Sequence, residues 1–216
     1  MTVFEGQDIS CVRGERIVFE HLSFAVDAGA ALVLQGPNGS GKSSLLRLMA
    51  GLARPVAGRI AWQGAAIAED PEAHALRLHY VGHLDAVKPA FRVRENLSRW
   101  AGLRGAGEAG VARALDSFGL AALADLPARL LSAGQKRRLA LARLLAVDAP
   151  LWLLDEPTVA LDRESVAALT AAVARHRASG GIAVVSTNVE LDLPGAEMLV
   201  LPRFAPSDAV AGTGLL

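Results

Sequence analysis

The chain has 216 residues with 22 basic and 22 acidic side chains, so its formal net charge at neutral pH is zero. Proteins that mainly bind nucleic acid carry a surplus of positive charge, and this composition argues against nucleic acid as a partner. The single cysteine, Cys11, cannot form an internal disulfide. We expect it to be a small buried residue in a protein of a reducing compartment, by default the cytosol.

No secretion signal or membrane-spanning segment is expected from the sequence. The first residues have neither a basic start nor an apolar core of the length that a signal peptide needs. Hydrophobic residues make up 52 % of the chain, but charged residues or glycines interrupt every apolar stretch before the ~18 residues that span a bilayer. If the protein works at a membrane, another subunit must hold it there.

The first strong pattern along the chain is a strand, a loop and a helix. The apolar run Ala31–Gln35 predicts a buried strand, and residues 43–52 place four apolar side chains at helical spacing. We expect Arg54 and Pro55 to stop this helix, because proline lacks an amide hydrogen and restricts the residue before it. The four residues of the expected buried face are Leu45, Leu48, Met49 and Leu52.

The loop between this strand and helix matches the phosphate-binding pattern G-x-x-x-x-G-K-[ST] in full. Glycines let the backbone close around phosphates, and amides at the helix start face their negative charge. Lys42 is expected to reach the outer phosphates and the Ser43 hydroxyl to ligate magnesium. We therefore predict binding of ATP and Mg²⁺. The residues expected to contact the nucleotide are Gly36, Pro37, Asn38, Gly39, Ser40, Gly41, Lys42, Ser43 and Ser44.

From about residue 84 to residue 131 the pattern changes to helix with glycine-rich breaks, and we predict a helical insertion without strands. It is followed by Leu131-Ser-Ala-Gly-Gln135. Here Ser132 and Gln135 have the spacing of a capping box that opens a helix. A capped helix start with a serine and a glycine is also a place where anionic phosphate binds, so capping and function are compatible.

Two later apolar runs, at 151–154 and Ile182–Ser186, predict buried strands on either side of an alanine-rich helix at about 163–177. Strands that alternate with helices indicate a parallel sheet covered on both faces. The first of these strands ends in Asp155 and Glu156. Alone, these carboxylates are compatible with a strand that meets solvent, but after a phosphate loop they predict a magnesium ligand and a base for the attacking water.

These motifs, in this order, resemble those of the nucleotide-binding subunits of ABC transporters, over about residues 6–200. The resemblance implies an α/β P-loop NTPase of RecA-like core, with a parallel-rich sheet and an inserted α-helical subdomain. The core would comprise 1–83 and 136–201, the helical subdomain about 84–135, and a loosely ordered tail 202–216. Asp155 then matches the magnesium position and Glu156 the catalytic position of the family.

In that family the signature of one subunit closes over the ATP held by the phosphate loop of another. The resemblance therefore implies a head-to-tail homodimer that acts with integral membrane subunits, a translocase that couples ATP hydrolysis to conformational work. In this chain the signature is Ser132, Ala133, Gly134 and Gln135, and Asp162 belongs to the loop that couples the two sites. The phosphate loop would thus supply half of an ATP site, and residues 132–135 of a second copy would supply the rest.

Three further features resemble the ATPase of the cytochrome c maturation system, described as a haem exporter. They are alanine within the signature, the sequence Tyr80-Val-Gly-His83 followed by Lys88, and the stretch 57–64. This resemblance implies a peripheral protein on the cytoplasmic face of a bacterial inner membrane. An exporter of another substrate is the alternative within the same family.

Two positions depart from the family pattern. Where the family has a glutamine that contacts magnesium and the attacking water, this chain has His83, which either replaces that contact or packs at the subdomain junction. Where the family has a histidine on the γ-phosphate, this chain has Asn188. Because Asn188 donates a hydrogen bond but carries no positive charge, we expect slow turnover. These departures leave open a non-hydrolysing, ATP-gated scaffold.

The position where many relatives stack an aromatic ring on adenine is closest to Arg13. A guanidinium plane can stack on a base, so Arg13 is a candidate for adenine binding with weak selectivity, the alternative being a solvated surface arginine. A soluble ABC ATPase that acts on DNA or ribosomes is a further rival. The chain has neither the long coiled coil, the tandem halves nor the basic charge typical of such proteins.

Overall fold

The computed structural model describes residues 2–188 and 191–206, and this part of the chain forms two sheets and six α-helices. The strands are β1 (Thr2–Arg13), β2 (Arg16–Asp27), β3 (Ala31–Gln35), β4 (Ala57–Trp62), β5 (Ala65–Ala66), β6 (Leu78–Val81), β7 (Leu151–Asp155), β8 (Ile182–Ser186) and β9 (Glu197–Val200). The helices are α1 (Lys42–Met49), α2 (Pro71–Arg77), α3 (Val93–Gly102), α4 (Glu108–Ser117), α5 (Ala133–Ala146) and α6 (Arg163–Ala178).

The central sheet has the strand order β6-β7-β8-β3-β9, and every neighbouring pair is parallel. All residues of β7 and β8 are buried, as the continuous apolar runs of these strands predict. The predicted α/β class is confirmed. The predicted strands at Ala31–Gln35, 151–154 and Ile182–Ser186 and the helix at 163–177 are confirmed as well.

Helices and a second sheet cover the two faces of the central sheet. Along β7, Leu151 and Leu153 belong to the apolar cluster that includes α1 and the antiparallel sheet, whereas Trp152 and Leu154 belong to the cluster that includes α5 and α6. This alternation follows from the two-residue period of a strand. Because all strands of this sheet are parallel, their carboxyl ends lie at the same edge, and β3 leads from this edge into the loop before α1.

The second sheet is antiparallel, with the order β2-β1-β4-β5. Sequence patterning did not indicate it, because β1 is interrupted by irregularities that break the two-residue period. Asp8 has a positive φ of 52°, and a Cβ on Gly58 would lie 2.3 Å from the Asp8 carbonyl oxygen. A bulge of this kind lets apolar side chains face the core without regular alternation. Cys11 in this strand is buried, as expected.

The helix after the phosphate loop is shorter than the sequence predicted. It ends at Met49, and Gly51 with φ of 70° reverses the chain. Leu52 is 65 % exposed and is therefore not part of the buried face. The expectation that Arg54 and Pro55 stop this helix was wrong, because a glycine in the left-handed conformation ends it first.

Between residues 83 and 131 the structure has helices, turns and one isolated β-bridge, between Arg92 and Pro127. The helices α3 and α4 share an apolar cluster with α5, which runs unbroken from Ala133 to Ala146. At the other end of the chain, Leu201–Phe204 forms a 3₁₀ turn whose Phe204 packs on the core. Residues 207–216 of the predicted tail lie outside the described residues. None of the helices described is long and apolar enough to cross a membrane.

Candidate active site

The phosphate loop lies between β3 and α1, and its glycines allow two close approaches. A Cβ on Gly36 would lie 2.5 Å from the Ser40 hydroxyl oxygen, and a Cβ on Gly41 would lie 2.6 Å from a methyl carbon of Val18. Gly41 also has φ of 100° and precedes the first turn of α1. The loop therefore keeps its shape only with glycine at these positions. The first amides of a helix have no intrahelical acceptor, which makes this helix start a site for anionic groups.

Lys42 is the first residue of α1 and is 6 % exposed. Its ammonium group donates to the carbonyl oxygens of Gly36 at 2.6 Å and Pro37 at 3.3 Å. It also donates to Oδ1 of Asn188 at 2.9 Å and lies 3.8 Å from Oε1 of Glu156. A buried cation is thereby surrounded by oxygen atoms from the phosphate loop and from two other segments of the chain.

Asp155 and Glu156 lie at the carboxyl end of β7, beside Ser186 at the end of β8. The Ser186 hydroxyl donates to Oδ1 of Asp155 at 2.6 Å and accepts from the Glu156 amide at 3.1 Å. Asp155 is 2 % exposed. The pKa of Tyr80 is raised first by the burial of its own hydroxyl and second by the negative charge of Asp155. Glu156 adopts a positive φ of 47°, which is unusual for a residue with a long side chain.

Asn188 joins the phosphate loop to the Glu156 carboxylate. Its Oδ1 accepts from Lys42, its Nδ2 donates to Oδ1 of Asn38 at 2.8 Å, and its backbone amide donates to Oε2 of Glu156 at 3.3 Å. Asn188 therefore uses both ends of its amide within the site. These contacts place it at the end of β8, next to the group that the sequence predicted as the base.

The cleft over the phosphate loop is lined by loop residues 37–39 and 41–44 together with six others, namely Arg13, Val18, His83, Glu156, Val159 and Asn188. His83 and Arg13 thus face the same cleft as Lys42, and both are exposed. Arg13 ends β1 and pairs with Arg16 across the hairpin. Val18 was not anticipated as a site residue, since its position on the neighbouring strand β2 depends on the unpredicted antiparallel sheet.

The signature segment does not line this cleft among the described residues. Ser132 caps α5 by accepting from the Gln135 amide at 3.2 Å, and the Gln135 side chain accepts from the Ser132 amide at 2.8 Å, so the predicted capping box is confirmed. Ser132 and Ala133 are exposed. A Cβ on Gly134 would lie 2.7 Å from the carbonyl oxygen of Ala160, so glycine lets this turn contact the segment before Asp162.

Asp162 caps the next helix, α6. Its carboxylate accepts from the Ser165 amide at 2.8 Å. Hydrogen bonding to the side chain and then to the amide of Ser165 holds the pKa of Asp162 below its usual range. The side chain is exposed and is a capping residue in this structure. The structure therefore gathers the phosphate loop, Glu156, Asn188, His83 and Arg13 around one cleft, with Asp155 buried next to Glu156. The signature and Asp162 do not line this cleft.

Comparison with known proteins identifies this arrangement. The family described as ABC transporter matches residues 19–159, a stretch that contains the phosphate loop, the signature and both carboxylates. In the solved structures, an ABC transporter ATP-binding protein from Pyrococcus furiosus superposes with a TM-score of 0.82 at 26 % identity, covering 94 % of this chain and 99 % of that one. A second structure, of the ATP-binding subunit of an ABC transporter, gives 0.79 at 28 % identity, covering 87 % and 80 %. The class of protein is thus an ATP-binding, ATP-hydrolysing ABC subunit that acts with membrane partners.

Relatives that match nearly the whole chain show to which group of ABC ATP-binding proteins it is similar. The cytochrome c biogenesis ATP-binding export protein CcmA of Rhodospirillum rubrum is 61 % identical over 209 residues, which cover 97 % of this chain and 90 % of the relative. The protein of the same name from Paramagnetospirillum magneticum is 55 % identical over 211 residues, covering 96 % and 97 %. The chain belongs to this family of ABC transporter ATP-binding proteins, which confirms the resemblance found in the sequence.

Proposed function

We propose that two copies of the chain bind two ATP molecules between them, head to tail, and that hydrolysis of this ATP drives membrane subunits in cytochrome c-type biogenesis. The observation that carries the proposal is the separation of the two halves of the site. Lys42, Glu156 and Asn188 surround one cleft, whereas Ser132 and Ala133 lie exposed outside it. A second copy, related by a two-fold axis, supplies the missing half to each cleft.

The residues of the cleft fit a magnesium ion. Asp155 is buried, and the described residues include no lysine or arginine that forms an ion pair with it, so its charge is available to a cation. Among the described residues no cluster of three or more metal-binding side chains occurs. Magnesium typically takes one or two protein ligands together with nucleotide phosphates and water, so this sparse set is suitable. We assign Ser43 and Asp155 to the ion, with His83 as a further contact, and the ion would neutralise phosphate charge.

The chemistry proposed for the cleft is attack of water on the γ-phosphorus of ATP. Glu156 accepts the proton of the attacking water, the new bond forms between the water oxygen and phosphorus, and the bond to the β–γ bridging oxygen breaks. ADP and phosphate are the products. Lys42 stabilises charge on the phosphate oxygens, and Asn188 donates a hydrogen bond through its amide nitrogen after releasing Asn38.

The cellular role follows from the relatives. Their name assigns them to ATP-binding in cytochrome c biogenesis and export. We place this chain peripherally on the cytoplasmic face of a bacterial inner membrane, held there by integral subunits. The two nucleotide states of the dimer then favour different conformations of the membrane partner. Haem is the cargo that this role favours, with another exported substrate as the alternative.

The role is tested by replacing the chromosomal gene with a Glu156→Gln allele. We expect c-type cytochromes to disappear from haem-stained gels of membranes, while the protein still co-purifies with its integral subunits. The wild-type allele reintroduced at the same locus is the control. Normal amounts of c-type cytochromes in the variant would contradict a role for ATP hydrolysis in their assembly. Loss of another exported compound instead would support the alternative cargo.

A further inference from the structure

Arg137 is a buried arginine that the motifs did not single out. It lies on α5, two residues beyond the signature, and it is 4 % exposed. A guanidinium group has five N–H bonds, and Arg137 makes five hydrogen bonds within the protein. The acceptors are the carbonyl oxygens of Pro157 (3.2 Å), Asp155 (2.7 Å), Glu156 (2.8 Å) and Gly82 (2.8 Å) and the carboxylate of Asp85 (3.1 Å).

Three of these acceptors are consecutive carbonyls that follow the end of β7. They belong to Asp155, Glu156 and Pro157, so the guanidinium fixes the orientation of both peptide groups that flank Glu156. Glu156 has φ of 47°, a conformation that residues with side chains rarely adopt and that persists only where surrounding contacts impose it. On the amide side those contacts come from Ser186, and on the carbonyl side they come from Arg137.

The other two acceptors are Gly82 and Asp85, on either side of His83. One guanidinium therefore connects three segments of the site, which are the signature helix, the His83 loop and the strand end that carries Glu156. None of its hydrogen bonds goes to the phosphate loop. A change at Arg137 should consequently affect hydrolysis more than ATP binding.

We propose that Arg137 is a positioning residue for ATP hydrolysis. Its planar guanidinium holds the Glu156 backbone in the left-handed conformation that directs the carboxylate toward Lys42 and the phosphate loop, and it fixes the His83 loop relative to that carboxylate. It acts through Glu156 and does not touch the nucleotide. The inference rests on the proposed role of Glu156 as the base.

Lysine at this position keeps the positive charge but has three donors at a single point, which cannot reach five acceptors spread around a plane. The test compares Arg137→Lys with the wild-type chain, purified with its membrane subunits. We expect kcat for ATP to fall tenfold or more, with KM and the directly measured Kd for ATP changed less than threefold. The matched control is Arg138→Lys on the same helix, because Arg138 donates one hydrogen bond, to the carbonyl oxygen of Phe118. We expect its kcat to stay within twofold of wild type.

A double-variant cycle distinguishes positioning from general structural support. If Arg137 acts through Glu156, adding Arg137→Lys to Glu156→Gln lowers the residual rate by less than twofold. An equal tenfold loss in both backgrounds would contradict the proposal. So would a kcat within twofold of wild type in folded Arg137→Lys protein, or a parallel loss of ATP affinity.

Folding of each variant is read from its thermal unfolding transition. If Arg137→Lys does not fold, Arg137→Gln carries the same test, and failure of both to fold would make Arg137 a folding determinant and overturn the proposal. If Glu156→Gln itself retains wild-type turnover, then the proposed role of Glu156 fails, and that outcome is distinct because it does not involve Arg137.

Discussion

Two surfaces of the molecule carry the motifs of one reaction, and they differ in how their polar groups are used. Around the phosphate loop, Lys42, Asn188 and Glu156 contact one another, with Lys42 buried, Glu156 half-buried and Asn188 exposed. At the signature, Ser132 and Gln135 form hydrogen bonds only at the start of their own helix, and Ser132 is exposed while Gln135 is half-buried. On the first surface the polar groups contact one another across three segments of the chain, whereas on the second they complete the start of their own helix.

Because of this difference, binding of ATP in the cleft and the rate of ATP hydrolysis are expected to depend on different residues. In the proposed dimer, the phosphate loop of one chain binds ATP and the exposed signature residues of the other chain complete the site. Variants in the first surface should therefore change chemistry or affinity. Variants in the second should change assembly while a single chain still binds nucleotide.

The largest effect is expected for Glu156→Gln, which removes the proposed base and keeps the size of the side chain. We expect kcat for ATP to fall by about 10² to 10⁴, the typical contribution of general base catalysis, while affinity for ATP is retained. Phosphate release measures the rate, and light scattering with ATP should show a stable dimer. Wild-type turnover in this variant would place the base elsewhere.

Ser132→Arg should reduce turnover by about the same factor through a different route. The added side chain obstructs the surface offered to the second copy, so we expect a monomer in the presence of ATP with a nearly unchanged Kd. Loss of the helix cap should also cost about 1 kcal/mol of stability. Ser132→Asn preserves capping and is the control for that part. A dimer of normal affinity in Ser132→Arg would break the division between the two surfaces.

His79 lies on β6, where the central sheet contacts the helical region. It is 1 % exposed, its Nε2 donates to the carbonyl of Val147 at 2.7 Å, and Arg104 donates to its Nδ1 at 3.3 Å. Burial, offset in part by the hydrogen bond to Val147 and assisted by Arg104, lowers the pKa of His79 to about 4. The neutral ring is therefore required by its partners.

Because His79 titrates near 6.5 when unfolded and at about 4 when folded, the unfolded chain binds the proton first as the pH falls. Its contribution to stability is present above pH 6.5 and is lost progressively down to pH 4, by about 3 kcal/mol. Urea unfolding of wild type and His79→Gln between pH 7 and 4.5 measures this. We expect a weaker pH dependence in the variant, and identical slopes would show that His79 is not the group responsible.

Asn188→His tests the departure from the family pattern on the catalytic side. A histidine supplies a donor that can carry positive charge to the γ-phosphate, and we expect kcat to rise about tenfold, less than the 10² to 10³ typical of one well-placed donor. The gain is limited because the contacts of Asn188 to Lys42 and Asn38 are lost. An unchanged ATPase rate in the assembled complex would refute the expectation that Asn188 slows turnover.

The smallest effect is expected for Arg13→Ala at the outer rim of the cleft. If the guanidinium stacks on the base, affinity for ATP should fall about two- to fivefold, as for an exposed cation–π contact of 0.5–1 kcal/mol. Comparison with GTP measures how much selectivity the arginine confers. Equal affinities in variant and wild type would make Arg13 a surface residue, and Arg16→Ala across the hairpin is the matched control.

The sequence predicted the phosphate loop, the strand ending in Asp155 and the capping box because each is a contiguous motif with its own local geometry. It did not predict the bonds of Ser186 and Arg137, since these join segments that only the parallel register and the helix packing bring together. The antiparallel sheet was not predicted, because bulges disturb the alternation of apolar and polar residues in β1. Leu52 was misplaced because the conformation of Gly51, not a proline, ends α1.

The claim that two copies complete each other is tested most directly by a mixed dimer. Lys42→Ala and Ser132→Arg chains are co-expressed with different tags, together with the membrane subunits, and the heterodimer is purified through both tags. One site then combines the intact phosphate loop of one chain with the intact signature of the other, and in a two-fold dimer we expect about half of the wild-type ATPase rate. Each variant alone should be inactive. A heterodimer no more active than either parent would contradict the head-to-tail arrangement.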